Sequence, residues 1–169
     1  MKKKSKKILH MFLRYFLLAI LGIFLSVFYK IFSPLTIWPV YFLLNLFYDV
    51  SILGNIISFI GADIEIINAC IAGSAYYLLL IFNLTTDMNV KKRILSLLFS
   101  LSSLLILNIL RIFLLSILYV ESFAFFDLAH KLFWYVLSIL FVVGIWFLTV
   151  WLFKIKEIPV YSDLKALKS

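Results

Sequence analysis

Residues 70–82 have the sequence CIAGSAYYLLLIF, in which the only cysteine of the chain, Cys70, is followed by an apolar run that ends near Asn83. An apolar run of this kind predicts a membrane helix, here with a thiol at its start. Two later apolar segments contain Arg111 and His130. Whether the side chains of these three residues meet depends on how far along its helix each one lies.

The composition is that of an integral membrane protein. Of the 169 residues, 65% are hydrophobic, and the mean hydropathy is +1.13, whereas a soluble domain is about half apolar. The net charge of +8 does not indicate nucleic-acid binding, because six of the sixteen basic residues lie in the first fourteen positions and four lie after position 153. Basic residues at chain ends beside apolar segments place those ends in the cytoplasm. A single cysteine excludes an internal disulfide and a cysteine-based metal site.

The sequence predicts an all-α membrane protein, a bundle of about four transmembrane helices with an amphipathic surface helix and a short β-hairpin on the outer side. The lysine-rich start is predicted to be a retained first helix rather than a cleaved signal peptide, because its apolar stretch is too long and no Ala-x-Ala site follows. We expect one membrane domain with the segments TM1 (8–32), outer amphipathic helix and hairpin (34–68), TM2 (69–86), TM3 (94–119), TM4 (128–153) and cytoplasmic tail (154–169).

The segment 34–60 is apolar enough to suggest a further crossing, but the charges argue against it. A crossing there would place the basic loop 91–93 outside, whereas without it this loop and both termini lie in the cytoplasm. Ser33-Pro34 is predicted to end the first helix. We therefore expect 34–60 to form an amphipathic or shallow helix at the outer surface.

Two short strands are predicted directly before Cys70. Turn signals at 54–55 and 61–63 separate the apolar stretches 56–60 and 64–68. The resulting hairpin leads the chain to the cysteine at the start of the second transmembrane helix.

The three candidate side chains are predicted to lie at one depth. A helix rises about 1.5 Å per residue, and the hydrocarbon core is about 30 Å thick. Counted from the basic residue at the inner end of each helix, Cys70 is roughly 31 Å away, Arg111 roughly 27 Å and His130 roughly 36 Å. These depths agree within the few residues by which helix ends are defined, so we expect the three to meet at the outer mouth of the bundle.

These residue types suit a cysteine nucleophile. A thiolate is the reactive form of cysteine and is favoured at a helix N-terminus or beside a cation. His130 can take the thiol proton and return it to a leaving amine. Arg111 can bind a substrate carboxylate or stabilise an oxyanion. Asn108 lies on the same helix face as Arg111, and Asp127 precedes His130 by three residues, so both are supporting candidates.

Each candidate also has a structural explanation, which the sequence leaves open. A lone cysteine in a membrane helix is usually a small apolar filler, and an arginine near the membrane surface can extend its guanidinium to the headgroups. His130 suits an interfacial position beside Lys131. Asp127 suits a helix N-cap, and Asn108 suits an interhelical hydrogen bond.

The order of these features resembles the exosortase/archaeosortase family of membrane-embedded cysteine transpeptidases, in its compact archaeal form. The resemblance covers about residues 34 to 150 and depends on IEIINACIAGS at the mouth of one helix, NILR in the next and a histidine that opens the last. In that family the nucleophile is the cysteine of an Ala-Cys motif, matched by Ala69-Cys70. An Asn-x-x-Arg motif matches Asn108 and Arg111, and a later helix-opening histidine matches His130.

The resemblance implies an activity. A family member cleaves C-terminal sorting signals of exported surface proteins through a thioester and transfers the proteins to a lipid or another acceptor. These substrates end in a short motif, a transmembrane helix and a basic end. No cofactor or metal and no nucleic-acid partner is expected, and the site faces outwards from the cell membrane. The alternative is a non-catalytic membrane assembly or sorting-tail-binding protein that uses Arg111 as a partner contact.

Overall fold

A computed structural model describes residues 2–161 and residue 163. The described residues are mostly helical (72%), with one small three-stranded sheet. In chain order the elements are α1 (Lys2–Ile23), α2 (Ser26–Asn45), β1 (Ser51–Leu53), β2 (Ile56–Phe59), β3 (Ala62–Glu65), α3 (Asn68–Ile71), α4 (Gly73–Leu84), α5 (Val90–Val120), α6 (Phe126–Leu132), a π-helical turn (Phe133–Leu137) and α7 (Ser138–Leu152).

Within the described part of the chain, three helical stretches are long and apolar enough to cross a membrane, namely α2, α5 and the run 126–152. Two shorter apolar stretches, 8–23 and 68–84, complete the bundle. The predicted helical class and the presence of a small sheet are therefore confirmed, whereas the number of crossings stays a prediction.

Two apolar clusters form the core. The larger one joins α1, α4, α5 and α7 and includes Leu79, Leu104 and Val142. The second lies between the sheet, α2 and α5 and includes Val40 and Leu44. Burial in the second cluster fixes the sheet on one end of the bundle, which we call the sheet end.

The predicted end of the first helix at Ser33-Pro34 is wrong. The chain breaks earlier, at 24–25, and α2 continues through both Pro34 and Pro39. A proline inside a helix removes a hydrogen bond and costs about 3 kcal/mol in water, yet the helix continues through both prolines. Because α2 packs along α5, residues 34–45 belong to a long apolar helix and not to a separate surface helix.

The predicted hairpin is present, with one strand more than expected. Its turn at Ile60-Gly61 has two left-handed residues, with φ of 51° and 75°, the geometry of a two-residue type I′ turn. The register pairs Ile57 with Ile64. The additional strand β1 pairs antiparallel with β2, so the order is β1-β2-β3 and β3 lies at an edge.

The predicted helix 69–86 is interrupted at Ala72, which has φ 60° and ψ 38° and separates α3 from α4. The left-handed region costs a residue with a side chain about 1–2 kcal/mol, so other contacts must stabilise the break. One of them is close packing at Gly73, where a Cβ would lie 2.6 Å from Cε1 of Tyr29.

The remaining two predicted helices differ less from the structure. The helix predicted at 94–119 begins at Val90, because Asn89 caps it through a 2.8 Å hydrogen bond from the Lys92 backbone N–H. The helix predicted at 128–153 begins at Phe126 and contains the π-helical turn.

Candidate active site

The sheet end contains a cavity of about 310 Å³ between β3, α3, α5 and α6. Cys70, Arg111 and His130 all line it. The structure thus brings the three predicted side chains to one space, each from a different helical segment. Their catalytic roles stay predictions.

Cys70 lies in α3, half-buried and with a free thiol. Its backbone N–H donates to the Ile67 carbonyl at 2.8 Å. Because the helix is interrupted at Ala72, the carbonyl oxygen of Cys70 is available to side chains. The Asn108 amide donates to it at 2.8 Å, and Nη2 of Arg111 donates to it at 3.1 Å. Two residues of α5 therefore fix the backbone beside the thiol.

Arg111 is buried, with 7% of its surface exposed. Besides the bond to Cys70, its Nη1 donates to Oγ of Ser138 at 3.1 Å, and that hydroxyl donates to the Phe133 carbonyl at 2.9 Å. Its Nε is buried and has no partner among the residues that the structure describes. Only two of the five guanidinium N–H groups are used in these bonds, and a guanidinium that lines a cavity can bind an oxygen of a ligand there.

His130 lies on α6 with an exposed imidazole between two aromatic rings. The ring centroids are 5.7 Å from Phe126 and 6.0 Å from Trp134. Across the described residues, no hydrogen bond joins this imidazole to the Cys70 thiol. Catalytic hydrogen bonds are often long in unliganded enzymes and shorten when the substrate binds. The π-helical turn that follows α6 is of a kind that is frequent at functional sites.

The two supporting candidates differ in their contacts. Asn108 is buried and forms the interhelical bond to Cys70, so it positions the cysteine backbone directly. Asp127 is exposed in the first turn of α6 and does not line the cavity. The N-cap of α6 is Phe125, so the N-cap explanation of Asp127 is wrong.

The sequence analysis missed Ser138, Asp63 and Glu65. Ser138 accepts a hydrogen bond from Arg111. In the sequence it could have been noticed as a lone hydroxyl residue between apolar stretches, 27 residues after that arginine. Asp63 and Glu65 line the cavity from β3. In the sequence these two acidic residues could have been noticed because they lie only a few positions before the cysteine.

Comparison with known proteins gives no family for this chain. Neither a protein-family model, nor a curated protein, nor a solved structure matches it. The likeness to the exosortase/archaeosortase family therefore stays a prediction that depends on the motifs around Cys70, Arg111 and His130.

Proposed function

We propose that this protein is a membrane-embedded cysteine transpeptidase that cleaves the C-terminal sorting signals of exported surface proteins. The observation that most supports the proposal is the shared cavity. The residues with a free thiol, a buried guanidinium and an imidazole line one space of about 310 Å³. A cysteine that only filled space between helices would not require these two neighbours.

In the proposed orientation, both termini lie in the cytoplasm and the sheet end faces outwards from the cell membrane. The four crossings are α1 with α2, α3 with α4, α5, and α6 with α7. The basic residues at the chain ends and in the loop 91–93 support this orientation. The sheet supports it as well, because an open strand edge is not stable in hydrocarbon and requires water or a protein partner.

The proposed reaction has two acyl-transfer steps. The Cys70 thiolate attacks the carbonyl carbon of the scissile peptide bond, and His130 receives the thiol proton and gives it to the leaving amine. This breaks the peptide bond and leaves the substrate as a thioester. An amine or hydroxyl of the acceptor then attacks the thioester, its proton passes to His130, and the thiol is released. Arg111 stabilises the oxyanion in both steps from its position in the cavity wall.

The location of the cavity suits a substrate that is itself anchored in the membrane. The transmembrane helix of the substrate would lie against the bundle and present the preceding residues at the sheet end. Such docking raises the effective concentration of the scissile bond at the thiol and lowers the barrier by about 7–11 kcal/mol at most.

The test is a Cys70→Ala variant in proteoliposomes with a reporter that ends in a candidate motif, an apolar helix and a basic end. We expect cleavage to fall by about 10⁴-fold or more, whereas Cys70→Ser retains weak activity. An impermeant thiol reagent should label wild-type Cys70 from the outer face. A Cys70→Ala variant that still cleaves the reporter would exclude the mechanism.

The alternative function, a non-catalytic assembly or sorting-tail-binding protein, uses Arg111 as a partner contact. The burial of Arg111 counts against it, because a partner helix would contact the bundle from outside, whereas Arg111 lines the cavity between β3 and the helices.

A further inference from the structure

The shape of the cavity depends on β3 and on the two residues that follow it. Five consecutive residues, 63–67, line the cavity. Successive side chains of an extended chain point to opposite faces. A space that contacts all five must therefore run along the edge of the strand and not over one face of the sheet.

The register shows which backbone groups of β3 point towards this space. Ile64 is paired with Ile57, and the Ile66 N–H donates to the Asn55 carbonyl at 2.9 Å. In an antiparallel pair, the bonded residues alternate along the strand. The N–H and C=O groups of Ile64 and Ile66 therefore face β2, whereas those of Asp63 and Glu65 face away from it.

The outward edge of β3 has no strand beside it. The strand order is β1-β2-β3, and in the described part of the chain the outward groups of Asp63 and Glu65 have no backbone partner. Unpaired edges are templates for another strand, and proteins usually protect them for that reason. Here the edge is next to a cavity and leads within a few residues to Cys70.

The chemistry of the walls defines what fits beside the edge. The wall opposite β3 is largely apolar and aromatic and includes Leu115, Tyr119 and Trp134. The side chains of Asp63 and Glu65 lie on one face of the strand and are exposed. Like charges directly across a strand pair are destabilising, so these carboxylates favour a partner strand without acidic residues at the facing positions.

We propose that the substrate polypeptide binds as a fourth strand along the outward edge of β3. This inference rests on the proposed function, because the occupant is the segment of the substrate that precedes its membrane helix. Main-chain hydrogen bonds to Asp63, Glu65 and the N–H of Ile67 fix its register. Because Cys70 follows three residues later, the same pairing delivers one peptide bond to the thiol. Affinity comes from the main chain, and specificity comes from alternate side chains, as in other cases of strand addition.

A tethered peptide tests the pairing without any need for turnover. Cys70 is the only thiol, so a six-residue peptide of alternating valine and threonine with an activated cysteine at one end forms one mixed disulfide with it. In this exchange the Cys70 thiolate attacks the activated sulfur, and thiopyridone leaves with the electron pair. Amide hydrogen exchange of the full ¹⁵N-labelled chain in micelles is then measured by NMR.

We expect the amide protons of Asp63, Glu65 and Ile67 to exchange about tenfold more slowly, or slower still, in the peptide adduct. The exchange rate of the Ile64 amide proton, which already bonds to β2, should not change. Slowed and unchanged amide protons should therefore alternate along the strand. The control is a polyethylene-glycol chain of equal length that carries the same activated disulfide. This chain has no amide groups and should give no alternation. The inference is overturned if the alternation is absent, if the control produces it equally, or if the activated peptide does not reach Cys70.

A pair of proline variants tests the same edge in the cleavage reaction. Glu65→Pro removes an N–H that faces the cavity and preserves the ladder to β2, a placement that edge strands tolerate. The control, Ile52→Pro, removes an outward N–H on β1, at the opposite edge of the sheet. We expect cleavage of the reporter to fall at least about tenfold for Glu65→Pro and to stay within about twofold for Ile52→Pro.

Slow exchange of the Ile57 and Ile64 amide protons in both variants verifies that the sheet is intact. Equal cleavage by Glu65→Pro and the wild type, with the sheet intact, overturns the inference. If Glu65→Pro loses the sheet, the exchange pattern of the tethered wild type decides instead. A protein that shows the alternation but never cleaves a reporter would contradict the proposed function alone. A protein that cleaves without the alternation would contradict only the strand pairing.

Discussion

The two ends of the helical bundle use arginine in the same way, but only the sheet end combines it with reactive groups. At the sheet end, Arg111 binds the Cys70 carbonyl, which the break at Ala72 makes available. At the opposite end, Arg93 binds the carbonyls of Asn83 at 2.7 Å and Thr86 at 2.9 Å, where α4 ends.

Arg14 strengthens the opposite end further. It donates to the Thr86 carbonyl at 3.1 Å and forms an ion pair with Asp163 at 2.7 Å. The last carbonyls of a helix have no intrahelical partner and a partial negative charge, so a guanidinium is a natural cap. Binding of free carbonyls by arginine therefore does not by itself indicate catalysis. At Arg111 the distinguishing features are the adjacent thiol, imidazole and cavity.

The largest expected difference in cleavage rate is between substitutions of the two histidines of the chain, one at each end. His130→Ala should reduce cleavage of the membrane reporter by about 10²–10⁴-fold, because proton transfer to the leaving amine is lost. His10→Ala should leave cleavage unchanged, because His10 is exposed on α1, far along the chain from the cavity. Single-turnover rates in proteoliposomes, corrected for folded protein, measure both. Equal rates for the two variants would remove His130 from the mechanism.

The two arginines should separate activity from stability. Arg111→Lys should reduce cleavage by about 10²-fold, because a compact ammonium lacks the planar fork with which Arg111 spans Cys70 and Ser138. Arg93→Lys should leave the rate per folded molecule unchanged and lower the free energy of unfolding by about 1–3 kcal/mol, because the Asn83 carbonyl loses its guanidinium partner, whereas Arg14 still binds the Thr86 carbonyl.

Reporter cleavage and unfolding in mixed micelles are measured on the same preparations of these two variants. Full cleavage by Arg111→Lys would remove the guanidinium from the proposed mechanism and leave Arg111 a structural role beside Cys70. A loss of cleavage by Arg93→Lys without a loss of stability would contradict the division between the two ends.

The sequence was informative where its signals were spread over many residues. Apolar length and the placement of lysines predict the helical class, and the rise per residue brings Cys70, Arg111 and His130 to one cavity. Apolar length and the rise per residue are averages over whole helices, so a shift of one or two residues at a helix end does not alter the predictions made from them.

The sequence was misleading where a local preference competes with packing. Pro34 was expected to end a helix, but contact with α5 preserves α2 through it. Ala72 is a residue type that favours helices, yet it is left-handed. The contacts that accompany this conformation come from Tyr29, Asn108 and Arg111. None of these is near Ala72 in sequence, so a local pattern could not reveal the break.

The close packing beside the break can be tested by Gly73→Ala. A Cβ at this position would lie 2.6 Å from Cε1 and 2.8 Å from Cζ of Tyr29. We expect the free energy of unfolding to fall by about 1–3 kcal/mol, as is typical of overpacking. The control is Gly144→Ala on α7, where a Cβ would meet no described atom within 4 Å. Equal effects of the two variants would show that Gly73 does not fix the break.

The smallest expected effects concern two residues in the left-handed region, Ala72 at the sheet end (φ 60°) and Lys154 at the opposite end (φ 48°). Because glycine adopts this region without steric cost, Ala72→Gly and Lys154→Gly should each raise the free energy of unfolding by about 0.5–1 kcal/mol. Only Ala72→Gly should also slow cleavage severalfold, because a freer backbone two residues after Cys70 holds the carbonyl less firmly against Asn108 and Arg111. Unfolding and single-turnover cleavage measured together decide this. If both variants gain stability and neither loses activity, the break at Ala72 is only a connection between α3 and α4, and the geometry beside the thiol must be fixed by α5 alone.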